Sequence, residues 1–155
     1  MTTDTIHSAL DTSLDLVDLR HRRKEGVLEE LARVARAAGV ARDADVLRDA
    51  LVRRERAYSS AVGKGVALPH ARSIAVSRPR MLVARAPRGV EWGAADGQPV
   101  QIVVLTLAPA ETGDEAWHGM LARAAGAVRL ARQRQRLLEA ADVCEAAAVL
   151  AGENP

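Results

Sequence analysis

Aromatic residues are scarce in these 155 residues: two Trp, one Tyr and no Phe. A core must therefore come from Leu, Val, Ile and Ala, and few rings are available to stack on nucleic-acid bases. One cysteine is present, Cys144, so no disulfide can close within the chain and a reducing compartment is expected. Charge of one sign is missing too. The 22 Lys and Arg face 20 Asp and Glu, a net of +2, which is not the one-sided charge of a nucleic-acid binder. No apolar run approaches the roughly 20 residues of a membrane helix. Residues 1–14 place no Lys or Arg before an apolar core, so no signal peptide is read there. These absences imply a cytoplasmic protein with no nucleic-acid partner and no membrane insertion.

What remains suits a soluble globular chain: 48% hydrophobic and 27% charged residues, long enough to bury a core. Residues 1–13 are expected as a flexible polar tail and residues 14–155 as a single domain. A short strand is read from Leu14 to Leu19. Val27, Leu28, Leu31, Val34, Ala35 and Ala38 recur at helical spacing, which predicts a helix from Lys24 to Ala38 stopped by Gly39. A second helix runs from Asp43, a good cap, to about Arg56, with Val46, Leu47, Ala50 and Leu51 inward. Val66-Ala67-Leu68 reads as a strand ended by Pro69. Met81–Ala86 and Val90–Trp92 read as two strands separated by Pro87 and Gly89, and Asp96-Gly97 as a turn. Val100–Ala108 is almost wholly apolar and β-branched, as in a strand buried on both faces. Helices follow at about 115–129, 133–140 and 142–150. The pattern predicts an α/β three-layer sandwich, with a mixed β-sheet of about five strands and helices on both faces.

The segment from Arg53 to Arg72 is poor in apolar residues and dense in special ones. It holds Arg54-Glu55, Ser59-Ser60 and Gly63-Lys64-Gly65-Val66-Ala67-Leu68-Pro69-His70-Ala71-Arg72. His70 stands at a strand end beside glycines that let the backbone approach a ligand. Taken alone, that describes an ordinary surface histidine as well as a nucleophile. Gly-Lys-Gly is not a nucleotide loop, because Gly-x-x-x-x-Gly-Lys-Ser/Thr is absent.

The ordered set resembles the phosphorylation site of enzyme IIA domains of the fructose–mannitol class, from the phosphoenolpyruvate-dependent sugar phosphotransferase system, including their nitrogen-regulatory relatives. The family pattern is Arg-Glu, Ser-Thr, then Gly-x-Gly-x-Ala-x-Pro-His-Ala; only Ser60, where Thr is usual, departs from it. Gly89-Val90-Glu91-Trp92, Asp96-Gly97-Gln98-Pro99-Val100 and the later His118 extend the resemblance over about Leu14–Leu150. It implies that His70 takes a phosphoryl group from HPr or an HPr-like carrier. His70 then passes the group to a IIB domain or, in a regulatory relative, signals to a target protein. It implies catalytic roles for His70, His118 and Arg54, with Ser59, Ser60 and Arg72 as phosphate-binding candidates. By analogy the phosphorylated atom is Nε2. No cofactor and no metal are expected, and a homodimer is left open. Gly119 stands where the family has a large aliphatic residue. No IIB- or IIC-like stretch is read within these residues, which keeps a stand-alone regulatory role in play; a degenerate scaffold is the third reading, opposed by the intact histidines and Arg54.

Other residues receive plainer readings. Glu55 is read as structural, and Trp92 and Trp117 as packing residues, with Trp117 near the site if His118 is. Cys144 is read as a small core residue beside Ala147 and Ala148. Arg129, Arg132, Arg134 and Arg136 are read as a solvated face.

Overall fold

The structure is a computed structural model that describes residues 14–152; the tail expected at 1–13 lies outside them. Six strands form one mixed sheet: β1 (Leu14–Asp18), β2 (Ala61–Gly63), β3 (Val66–Ala67), β4 (His70–Ser73), β5 (Arg80–Val90) and β6 (Val100–Pro109). Five helices cover it: α1 (Lys24–Ala37), α2 (Ala44–Ala57), α3 (Asp114–Ala127), α4 (Ala131–Glu139) and α5 (Val143–Leu150). The order is β1-β5-β6-β3-β2, with β4 also paired to β6. β1 runs parallel to β5, β5 antiparallel to β6, and β3 and β4 parallel to β6.

β6 carries the expected double burial. Val103, Leu105 and Leu107 enter the core shared with α1 and α2. Ile102 and Val104 enter the core shared with α3, α4 and α5. Alternate side chains thus feed two helical layers, as the sandwich reading expects. Asp43 caps α2 by accepting from the N–H groups of Asp45 (2.9 Å) and Val46 (3.1 Å). The buried stripe of α2 is Leu47, Leu51 and Glu55, whereas Val46 is 46% exposed. The expected inward Val46 is therefore corrected, and the stripe continues one turn further onto a carboxylate.

Three expectations about the strands change. Pro69 interrupts its strand as expected, but pairing with β6 resumes beyond it. Val66↔Ile102, Ala67↔Val103 and His70↔Thr106 keep one constant offset, so β3 and β4 are one strand interrupted at Leu68–Pro69. Proline lacks the N–H that would continue the ladder, yet its carbonyl still accepts from the Thr106 N–H at 3.1 Å. Next, the two strands expected around Pro87 and Gly89 are the single β5. From Arg85 to Val90, five steps along β5 span two along β6, from Ile102 to Val100, so the extra residues bulge out rather than break the pairing. The sheet finally has six strands: β2, too short to show a period in sequence, and β4, the continuation beyond Pro69, are added, while two expected strands merge into β5. Cys144 is exposed; α5 turns Ala146 and Val149 inward instead. Among the described residues no helix is long and apolar enough to cross a membrane.

Candidate functional site

The glycine-rich segment and the later Asp-Gly-x-Pro segment prove to be two halves of one support. Gly63 (φ +88°), Lys64 (φ +57°) and Gly65 (φ +77°) form the β2–β3 turn in left-handed conformations, which glycine adopts without a Cβ clash. Lys64 N–H donates to Asp96 Oδ2 at 2.8 Å and Gln98 N–H to Asp96 Oδ1 at 3.1 Å. Those amides hold the Asp96 carboxyl below the usual carboxylate range. The N–H groups of Gln101 and Ile102 donate to the Gly65 carbonyl at 2.8 and 3.0 Å. Gly89 lies against Pro99, where an added Cβ would come within 2.6 Å of the proline Cβ. The turn, and with it the start of β4, is thereby fixed to the rest of the sheet.

His70 is the first residue of β4 and is half-buried. Its register partner is Thr106, so its side chain leaves the sheet toward α3, while Ala71 faces the core of α1 and α2. His70 Nδ1 lies 3.1 Å from the Leu68 carbonyl oxygen. A carbonyl only accepts, so Nδ1 donates, and in the neutral ring Nε2 keeps its lone pair. Burial pushes the His70 pKa below the ordinary 6.5, and the Arg54 charge pushes the same way; the Leu68 bond and Glu55 oppose without reversing it.

The end of α2 and its exit loop build the other side. Leu51, Arg54, Glu55, Tyr58, Ser59, Ser60, Pro69 and His70 line a cleft of about 50 Å³. Glu55 is 7% exposed. Its carboxylate accepts from Trp92 Nε1 at 2.8 Å and from the Ser60 N–H at 3.0 Å. That supports the structural reading of Glu55 and ties the exit loop to Trp92. Ser59 Oγ accepts from the Ala61 N–H at 3.2 Å, a local turn contact. Ser60 Oγ is buried with no hydrogen-bond partner.

On the far side Trp117, 6% exposed, tilts over His70 with ring centroids 5.8 Å apart. Arg72 does not turn into the cleft. It donates to Asp114 Oδ1 at 2.7 Å and to the Thr112 carbonyl at 3.0 Å. His118 is exposed one residue after Trp117. The fold therefore gathers His70, Arg54, Ser59 and Ser60 around one cleft. It seats His118 on the helix that abuts His70 and engages Arg72 elsewhere. Sequence patterning did not anticipate Glu55 as the hydrogen-bonding centre, although its place four residues after Leu51 signals the inward face. Tyr58, 80% exposed at the cleft rim, also went unnoticed. Among the described residues no three His, Cys, Asp or Glu side chains converge as a metal site requires.

The family model described as "Phosphoenolpyruvate-dependent sugar phosphotransferase system, EIIA 2" matches residues 10–152. The chain belongs to this family. It is thus a component of phosphotransferase type. It is 34% identical over 106 residues to a fructose-specific EIIA component from Haloferax volcanii, covering 67% of this chain and 69% of the relative. The fold matches the nitrogen regulatory protein IIA-Ntr from Neisseria meningitidis with a TM-score of 0.78 and 25% identity, over 90% of this chain and 94% of that one. It also matches the mannitol enzyme IIA solved in complex with phosphorylated enzyme IIB from Escherichia coli, with a TM-score of 0.73 and 16% identity, over 92% and 96% of the two chains.

Proposed function

We propose that this EIIA chain is a cytoplasmic phosphocarrier of a single domain spanning residues 14–155, in which His70 Nε2 accepts a phosphoryl group from an HPr-like phosphohistidine and passes it to a IIB domain during sugar uptake. One observation carries the reading: the Nδ1 bond to Leu68 leaves Nε2 as the free base of a ring held below its ordinary pKa.

The chemistry follows from that tautomer. The Nε2 lone pair attacks phosphorus as the donor's N–P bond breaks, and the bonding pair returns to the donor imidazole nitrogen. His70 needs to lose no proton. Its ring becomes a phosphoryl-imidazolium whose Nδ1–H still donates to Leu68, and that positive charge keeps the group easy to release to the next acceptor. Catalysis then rests on placing charge beside the equatorial oxygens. Arg54, beside the cleft, supplies a guanidinium. Ser60 Oγ, unpartnered at rest, supplies a hydroxyl, and His118 a second imidazole. Ser59 contributes through the turn it holds. Arg72 was expected as a phosphate ligand; its ion pair with Asp114 argues for a different task.

Cleft size supports a carrier over a sugar binder. About 50 Å³ beside His70 suits a phosphoryl group, whereas small-molecule pockets run to about 300–1,000 Å³. A wider hollow, about 680 Å³ between Arg23 and Pro99, is lined by neither His70 nor Arg54. A partner protein must close the site from outside. The enzyme IIB bound to the mannitol relative supports such a partner.

Incubation with phosphoenolpyruvate, enzyme I and HPr is expected to give acid-labile label that His70→Ala abolishes; full labelling of that variant would overturn the assignment. The likeness to IIA-Ntr favours a second reading, a regulatory protein that binds targets according to the phosphorylation of His70. A sugar permease and IIB in the gene neighbourhood would select transport, and their absence regulation.

A further inference from the structure

His70 and Arg72 stand two residues apart on β4, so both side chains leave the sheet on the same face. Trp117 meets both. The imidazole centroid is 5.8 Å from the indole centroid, and the Arg72 guanidinium carbon lies over the indole, 5.8 Å from the ring centroid. Arg72 reaches across to Thr112 and Asp114, which flank Gly113, the residue before the first turn of α3. Gly113 has no side chain to cap that helix. The beginning of α3 is therefore tied down by an arginine from β4, and α3 carries both Trp117 and His118.

We infer that Arg72 and Asp114 form a clamp that sets α3 against β4 and so orients the His70 ring and places His118. Arg72 is on this account a positioning residue, not a phosphoryl ligand. The His70 ring has one hydrogen bond, at Nδ1. That bond fixes which nitrogen is free, while the tilted indole fixes where Nε2 points. The clamp itself holds little of the fold: the Asp114 side chain is 78% exposed and that of Arg72 31%, and such pairs are weak. Loss of it should therefore appear in kinetics rather than in stability. A lysine at 72 keeps the charge but cannot bridge the Thr112 carbonyl and Asp114 while covering the indole.

The inference rests on His70 as acceptor, and the test separates the two. Phosphoryl transfer is measured from purified phosphorylated HPr to the full chain, for wild type, Asp114→Asn, Arg72→Lys and His70→Ala. Asp114→Asn and Arg72→Lys are each expected to lower kcat about tenfold, as misplacement of a reacting group does, with KM within about twofold and an unchanged Tm. The change in tryptophan emission on loading His70 should shrink in both. If Asp114→Asn transfers at the wild-type kcat, the clamp is refuted, because a phosphoryl-ligand Arg72 would survive release from Asp114. A raised KM with intact kcat refutes it also, making the pair a docking contact. Label retained by His70→Ala would instead refute the acceptor assignment.

Discussion

Replacing Glu55 with alanine removes an acceptor that serves one buried and one partly buried donor. Trp92 Nε1 donates to it at 2.8 Å from a ring only 2% exposed, and the Ser60 N–H donates at 3.0 Å. Each donor stranded away from water costs about 1–3 kcal/mol. The pair therefore gives about 4 kcal/mol, and a domain of this size loses about 2–4 °C of Tm per kcal/mol. Glu55→Ala should unfold on the order of 10 °C earlier. Glu55→Gln keeps one acceptor oxygen and should lose less than half as much. Trp92→Phe withdraws one donor in advance, so Glu55→Ala made on that background should cost about 1 kcal/mol or more less than on wild type. Urea unfolding followed by far-UV circular dichroism measures wild type and all four variants without relying on Trp92 as a probe. A Glu55→Ala variant within about 1 kcal/mol of wild type would refute the reasoning, because Trp92 and Ser60 would then have alternative partners.

Three further outcomes follow from single features. The rate of His70 loading should fall on the acid side with a midpoint below 6.5, and Arg54→Gln, by removing a cation that lowers the pKa, should move that midpoint up; because the unfolded chain takes up this proton first, His70 also draws stability down as pH drops below about 6.5. Gly89→Ala combines a left-handed φ of +86° with a Cβ 2.6 Å from Pro99. It should lose about 3 kcal/mol in chemical unfolding, while Gly97→Ala, left-handed but facing open space, should lose only about 1–2 kcal/mol. Ser60→Ala removes a hydroxyl without a partner, so its stability should stay within about 0.5 kcal/mol of wild type, while His70 loading falls about tenfold or more through one lost charge-assisted bond.

The layers of this fold were legible because their residues repeat. The period of α1 and the unbroken apolar run of β6 each announce an element and the surface it buries. Short strands carry no such signal. β2 has three residues and is held by its turn to β3, while β3 has two and is held by β6, distant in sequence. The resumption of pairing beyond Pro69 was hidden for the same reason: the proline's cost to a ladder is local, but the constant register with β6 on both sides of it is a tertiary fact. At the site, His70 and Arg54 stood out through their motif. The engagement of Arg72 by Asp114 did not, since a residue 42 positions away leaves no trace in local pattern. Glu55 was legible as structural but not as a centre, because its two donors, Ser60 and Trp92, are brought to it by separate elements.

Much of the motif that marks the family supports the cleft rather than offering it a reacting group. Gly63 and Gly65 allow the left-handed turn, Asp96 receives the amide of Lys64, Gly89 makes room for Pro99, and Glu55 joins Ser60 to Trp92. Each pins the β2–β3 turn or the α2 exit loop to the sheet; the exit loop lines the cleft beside His70, and the turn starts the strand that leads to it. A phosphoryl group in transfer is stabilised by charges already in place, since reorganising them during the reaction would forfeit the benefit. A carrier must also present the same group to two different proteins, so it cannot borrow its geometry from either. It follows that the supporting residues are as constrained as the reacting ones. An intact His70 on a chain lacking Gly89 or Asp96 would keep the nucleophile and lose the rate.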